Sequence, residues 1–168
     1  MAGTLNNLAL LAQDTGNYPE AQRLFERSLA LTQKVYGPEH AEVAVSLSNM
    51  AELFGNMGDQ GRAIALYEKS LTIFEKVFGV DHPEVATVLR SLAGIYCKKG
   101  DYALAEPLYR RSLAIREKAA EPDNLERAAT MEEYATALHR IGRSGEAESF
   151  EIQAKLIRES AKMNNPRK

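Results

Sequence analysis

Leu89-Arg-Ser-Leu-Ala-Gly-Ile-Tyr-Cys-Lys-Lys-Gly-Asp-Tyr-Ala-Leu-Ala105 decides the fold. Its apolar residues Leu89, Leu92, Ala93 and Tyr96 fall at offsets 0, 3, 4 and 7, one stripe of an amphipathic helix. Gly100 then supplies a residue able to adopt the left-handed conformation that ends such a helix. Beyond it Ala105, Leu108, Tyr109 and Leu113 mark the stripe of a second helix.

The same pattern recurs every 42 residues, starting at Leu5, Leu47, Leu89 and Met131, without insertion or deletion. Repeats of this kind decide architecture before any other signal. The first helices align Leu5, Leu8, Ala9, Ala12 with Leu47, Met50, Ala51, Phe54 and with Met131, Tyr134, Ala135, Leu138. The second helices align Ala21, Leu24, Phe25, Leu29 with Ala63, Leu66, Tyr67, Leu71. A small residue stands on every first helix (Ala9, Ala51, Ala93, Ala135) and on every second helix (Ala21, Ala63, Ala105, Ala147). Gly16, Gly58, Gly100 and Gly142 separate them. Alanine on both helices lets a pair approach closely, with the aromatic of the second helix filling space nearby.

Helices are expected over 4–15, 18–35, 41–57, 60–77, 83–99, 102–119, 124–141 and 144–161. Asn17-Tyr-Pro-Glu20, Asp81-His-Pro-Glu84 and Asp123-Asn-Leu-Glu126 read as capping boxes at helix starts. Pro107 lies inside a helix, which predicts a kink or a late-forming first turn there. The whole chain, 1–168, reads as a single array with repeats at about 1–42, 43–84, 85–126 and 127–168.

Composition narrows the function. The chain has 168 residues, a net charge of −2 and a sequence pI near 6.0, so nothing in its bulk attracts nucleic acid or an anionic membrane. No run of apolar residues is long enough to span a bilayer, and Met1-Ala-Gly-Thr-Leu lacks the features of a signal peptide. Cys97 is alone, which excludes an internal disulfide and fits a reducing, cytoplasmic compartment. No nucleophile–base pairing, phosphate loop or metal-ligand spacing stands out, so neither an enzyme nor a cofactor is expected. His40 and His82 are one period apart but have no Cys or second His near either, which favours a structural role at the helix starts.

Ala9, Gly16, Ala21 and Phe25 resemble the tetratricopeptide repeat. The longer period, with Gly37-Pro-Glu-His40, Gly79-Val-Asp-His-Pro83 and Ala105-Glu-Pro-Leu-Tyr-Arg-Arg-Ser-Leu113, resembles the kinesin light chain class of that repeat. The resemblance implies an all-α fold, an α-solenoid in which four helix-turn-helix pairs form a right-handed superhelix. It also implies a scaffold for protein binding, whose first helices line a concave groove for a peptide or helical segment of a partner. In such repeats a proline at the position of Pro107 is ordinary.

On that reading the groove positions are Asn6, Asn7, Leu10, Gln13 and Asp14; Ser48, Asn49, Glu52 and Asn56; Arg90, Ser91, Cys97 and Lys98; and Glu132, Glu133, Thr136, His139 and Arg140. Asparagine amides both donate to and accept from an extended backbone, and Arg90 with Lys98 would hold a carboxylate. The carboxylate clamp of chaperone-binding relatives is not matched, because the first two repeats place no lysine or arginine beside Asn6, Asn7 and Asn49.

The fourth repeat departs from the others. Glu151 stands at the position of Phe25, Tyr67 and Tyr109, and Lys155 at that of Leu113. Segment 144–161 therefore reads as a polar cap. The first repeat shows no such cap, which suggests a fragment of a longer array. A self-associating structural or adaptor module, monomeric or weakly associating through its first helix, is the alternative expectation.

Overall fold

The computed structural model describes residues 2–119 and 125–164. They form eight helices: α1 (Ala2–Asp14), α2 (Tyr18–Tyr36), α3 (Ala41–Asn56), α4 (Gln60–Phe78), α5 (Pro83–Lys99), α6 (Tyr102–Lys118), α7 (Leu125–Arg140) and α8 (Ser144–Asn164). No strand occurs among the described residues. Each odd-numbered helix packs most extensively on the even-numbered helix that follows, and each pair then leans on the next. The result is an all-α solenoid.

The repeated alanines explain the packing. All eight are fully buried. The four separating glycines adopt φ of 76°, 82°, 87° and 79°. In each turn the next N–H closes the helix end, running from Asn17 to the Ala12 carbonyl, Asp59 to Phe54, Asp101 to Tyr96 and Arg143 to Leu138, at 2.8–2.9 Å. This is the Schellman arrangement, and it turns the chain identically four times.

Helix starts differ in part from expectation. Asn17 does cap α2, its side chain accepting from the Glu20 N–H at 3.4 Å. At α5 the cap is His82, not Asp81: His82 Nδ1 accepts from the Glu84 N–H at 3.2 Å. Asp81 instead pairs with Lys118 at 2.9 Å. His40 caps α3 in the same way. An imidazole one residue nearer the helix reaches the free N–H that the aspartate was expected to take. The box at Asp123 lies outside the described residues.

Other expectations are corrected by burial. Leu8 sits on the predicted apolar stripe but is 48% exposed, because no described helix covers that side of α1. Helix α6 starts at Tyr102, in register with Tyr18 and Gln60, so Pro107 does not delay its first turn. Helix α8 runs to Asn164 and its outer face is not uniformly polar, since Ile152, Leu156 and Met163 are exposed on it.

Candidate protein-binding groove

A groove of about 640 Å³ runs along α3, α5 and α7. Its walls include Glu52 and Asn56 from α3, Arg90, Ser91, Gly94, Cys97 and Lys98 from α5, and Glu133, Thr136 and Arg140 from α7. The 42-residue register creates this surface: Asn56, Lys98 and Arg140 are one position in three successive repeats, turning from neutral to basic along the solenoid.

The floor comes from the second helices. Tyr67 on α4 and Tyr109 on α6 occupy the aromatic position that Phe25 fills in the first repeat, and both line the groove with Tyr102. Burial pushes the Tyr67 hydroxyl up to about 12, against a hydrogen bond from Ser91. Burial also raises Tyr109, whose ring stacks on Tyr134 with centroids 5.5 Å apart. The Tyr109 hydroxyl meets the Cys97 thiol at 4.0 Å, a soft partner. The Cys97 thiol is itself raised, chiefly by burial, which removes thiolate character. Gly94 stands where Glu52 and Thr136 stand in the flanking repeats, and its missing side chain leaves the groove open above Tyr109.

The charges are unequally committed. Arg90 Nη1 donates to Glu126 at 2.8 Å, and its Nε lies 3.8 Å from Glu133. Desolvation raises Glu133, with Arg90 and Lys98 opposing it and Glu126 and Glu132 adding to it. Lys98 and Arg140 line the groove without an ion pair among the described residues.

Of the groove positions read from the sequence, Glu52, Asn56, Arg90, Ser91, Cys97, Lys98, Glu133, Thr136 and Arg140 are brought together here. The remainder lie elsewhere. Asn49 donates to Asn6 at 2.9 Å, joining α1 and α3. Ser48 shares a 2.7 Å hydrogen bond with Ser70 on α4. Gln13 is buried, and Asn7 and Asp14 are exposed on α1. Glu132 faces α8 and holds Arg158 in a two-point ion pair at 2.6 and 2.7 Å. His139 also turns to α8, contacting Ser144 and Glu151 at 3.1 Å. The sequence reading missed Tyr67, Gly94, Tyr102 and Tyr109. For Tyr67 and Tyr109 the signal was a hydroxyl on the repeated aromatic, present in the second and third repeats and absent at Phe25.

The sequence matches the tetratricopeptide repeat family over residues 1–76, 62–118 and 84–159, and the chain belongs to that family. Repeats of this family generally mediate protein–protein interaction and are generally non-enzymatic. Among solved structures it is similar to BtubC (BKLC) from P. vanneervenii, with a TM-score of 0.86 and 27% identity over 99% of this chain and 67% of that one. It is also similar to a kinesin light chain-type protein of Podosopora anserina with nearly identical TPR-like repeats. There the TM-score is 0.81 and the identity 26%, over 94% of this chain and 74% of that one. The repeats are thus kinesin light chain-like. No curated protein matches the chain. No described helix is long and apolar enough to cross a membrane.

Proposed function

We propose that the chain is a non-catalytic, cytoplasmic protein-binding scaffold that holds a peptide or helical segment of a partner protein in the groove along α3, α5 and α7. The observation that carries this reading is the groove itself. It combines an aromatic floor, hydrogen-bonding side chains on three successive first helices, and two basic groups, Lys98 and Arg140, that form no ion pair among the described residues. Packed apolar floors with a few convergent polar groups are where bound segments find both area and orientation. The groove residues set forward for this role are Glu52, Asn56, Arg90, Ser91 and Lys98, joined by Tyr67, Tyr109 and Arg140.

A random peptide library displayed on phage and panned against the immobilised chain tests the reading. Enriched peptides should bind the Lys98→Glu/Arg140→Glu variant at least about tenfold more weakly, a change of about 1.4 kcal/mol. They should also slow hydrogen exchange in α3, α5 and α7. This pair is a cleaner test than Arg90→Glu, which would also break the Arg90–Glu126 contact. Equal binding by the variant, with protection elsewhere, removes the groove from the function.

A further inference from the structure

The outer face of α8 breaks the pattern of the other second helices. Residue 152 takes the place held by Glu26, Glu68 and Arg110, and residue 156 the place held by Ala30, Thr72 and Ala114. In the fourth repeat these become Ile152 and Leu156, which are 61% and 58% exposed. At about 100° per residue, Gly145, Ser149, Ile152, Leu156 and Met163 share one side of the helix. All five are exposed. Three earlier repeats keep this face charged or small, and only α8 builds a large aliphatic stripe on it.

The charges beside the stripe are ordered. Glu146, Arg158 and Glu151 are engaged with Arg143, Glu132 and His139. Glu148, Lys155, Glu159 and Lys162 form no ion pair among the described residues. All four lie along the same flank of the stripe, with an acid towards the start of the helix and a base at its end.

We infer that α8 is the interface of an isologous dimer, in which two copies of this chain pack their α8 helices antiparallel. With the two-fold axis near Ala154 and Lys155, Ile152 of one copy meets Leu156 of the other. Glu148 then comes opposite Lys162 of the second copy, and Met163 lies over the small residue Gly145. A parallel two-fold arrangement would carry this flank to the opposite edge of the contact, against Gln153 and Ser160, where Glu148 and Lys162 meet no opposite charge. The antiparallel one closes the stripe and forms two Glu148–Lys162 pairs, against the single like-charge contact of the two Lys155 side chains at the axis, and its self-complementarity is what a two-fold interface requires. Helix α1 also exposes aliphatic residues, Leu8 and Leu11, but its Asn7, Thr4 and Thr15 surround gives them no complementary charge. The two-fold contact is therefore assigned to α8.

Sedimentation velocity across a concentration series tests the assignment. The chain should move from monomer to dimer as concentration rises. Ile152→Glu and Leu156→Glu, both surface changes, should abolish the dimer with the helical circular dichroism intact. Glu148→Lys should weaken the dimer, and Glu148→Lys combined with Lys162→Glu should restore it. In a Cys97→Ser background, Lys155→Cys lies near the axis and should form an intermolecular disulfide on oxidation, whereas Leu11→Cys should not. A monomer at every concentration overturns the inference. So does a dimer that survives Ile152→Glu and Leu156→Glu, or one abolished instead by Leu8→Glu, which would transfer the contact to α1. None of these readouts depends on the groove, so this interface and the groove reading fail separately.

Discussion

The Ser70 hydroxyl donates to the carbonyl of Ala44 over 2.8 Å, from the middle of α4 into the first turn of α3. Ser28 makes the same bond to Ala2 at 2.9 Å, and Ser112 to Ala86 at 2.7 Å. All three serines are buried. One period further on, the serine becomes Ala154 and its acceptor position is Ala128. The solenoid thus has a polar rung inside three helix pairs and a methyl group in the fourth. Each rung fixes the height of the second helix against the first, because a hydroxyl reaches one carbonyl and no other at this distance.

Ser112→Ala should therefore lower stability by about 0.5–1.5 kcal/mol, the net value of one such bond, because Ser112 has no second side-chain partner of the kind Ser70 has in Ser48. The acceptor is left with its ordinary helical hydrogen bond, so the loss should not exceed that range. Ala154→Ser should add the missing rung and raise stability by up to about 1 kcal/mol. Urea unfolding followed by circular dichroism measures both. A destabilised Ala154→Ser would mean that the α7–α8 pair is too tight for the hydroxyl.

The close approach of α3 to α5 gives a second test. A Cβ built on Gly55 would come 2.6 Å from Ile95 Cδ1, inside the buried core. Gly55→Ala should overpack this contact and cost about 1–3 kcal/mol, offset in part by the better helix propensity of alanine. Ile95→Val removes the obstructing methyl. The double variant should then be more stable than the two single effects predict, by about 1 kcal/mol. Additive single effects would show that Ile95 moves aside freely.

These two contacts mark how far the sequence was legible. The helix pairs follow from it because their demands are local and periodic: a small residue at the crossing, a left-handed glycine at the turn, an apolar stripe. Ala51 and Gly58 satisfy those demands wherever they fall. The groove was legible only in part, because a charged side chain chooses among partners far away in sequence. Arg90 finds Glu126, and Glu132 finds Arg158 on α8. Spacing along one helix cannot reveal such choices. Tyr67 and Tyr109 were read as space-filling, and they are buried. That their hydroxyl ends also floor the groove depends on how one repeat leans on the next. The exposure of Ile152 was hidden by its neighbours, since Glu151 and Lys155 made the whole helix look polar.

The histidine caps yield a third prediction. His82 accepts from the Glu84 N–H while its ring stacks on Phe78 with centroids 4.3 Å apart. His82→Ala loses both contacts and should cost about 1–2 kcal/mol, near the top of the range for a lost cap. His82→Asn keeps a side-chain acceptor at the same place and should recover most of the capping part. The shortfall of asparagine measures the stacking, so both variants belong in one thermal-melt series. If asparagine and alanine melt together, the capping bond contributes nothing.

The last prediction concerns Glu133 in the groove wall. Partial desolvation by the groove walls holds its carboxyl above the ordinary glutamate value of 4.5, despite Arg90 and Lys98 nearby. The folded chain therefore keeps this proton to higher pH than the unfolded chain does. Stability from the protonated form is complete below 4.5 and declines as pH rises through the folded value. Above that value the folded state carries a carboxylate that the groove walls leave only partly solvated. Glu133→Gln holds the neutral form at every pH. The variant should match the parent at acidic pH and exceed it at neutral pH, with the gap opening just above 4.5. Urea midpoints of both proteins across a pH series measure the gap, and the paired comparison cancels every other titrating group. A variant less stable than the parent at neutral pH would show the opposite balance, in which the 3.8 Å approach of Arg90 outweighs desolvation.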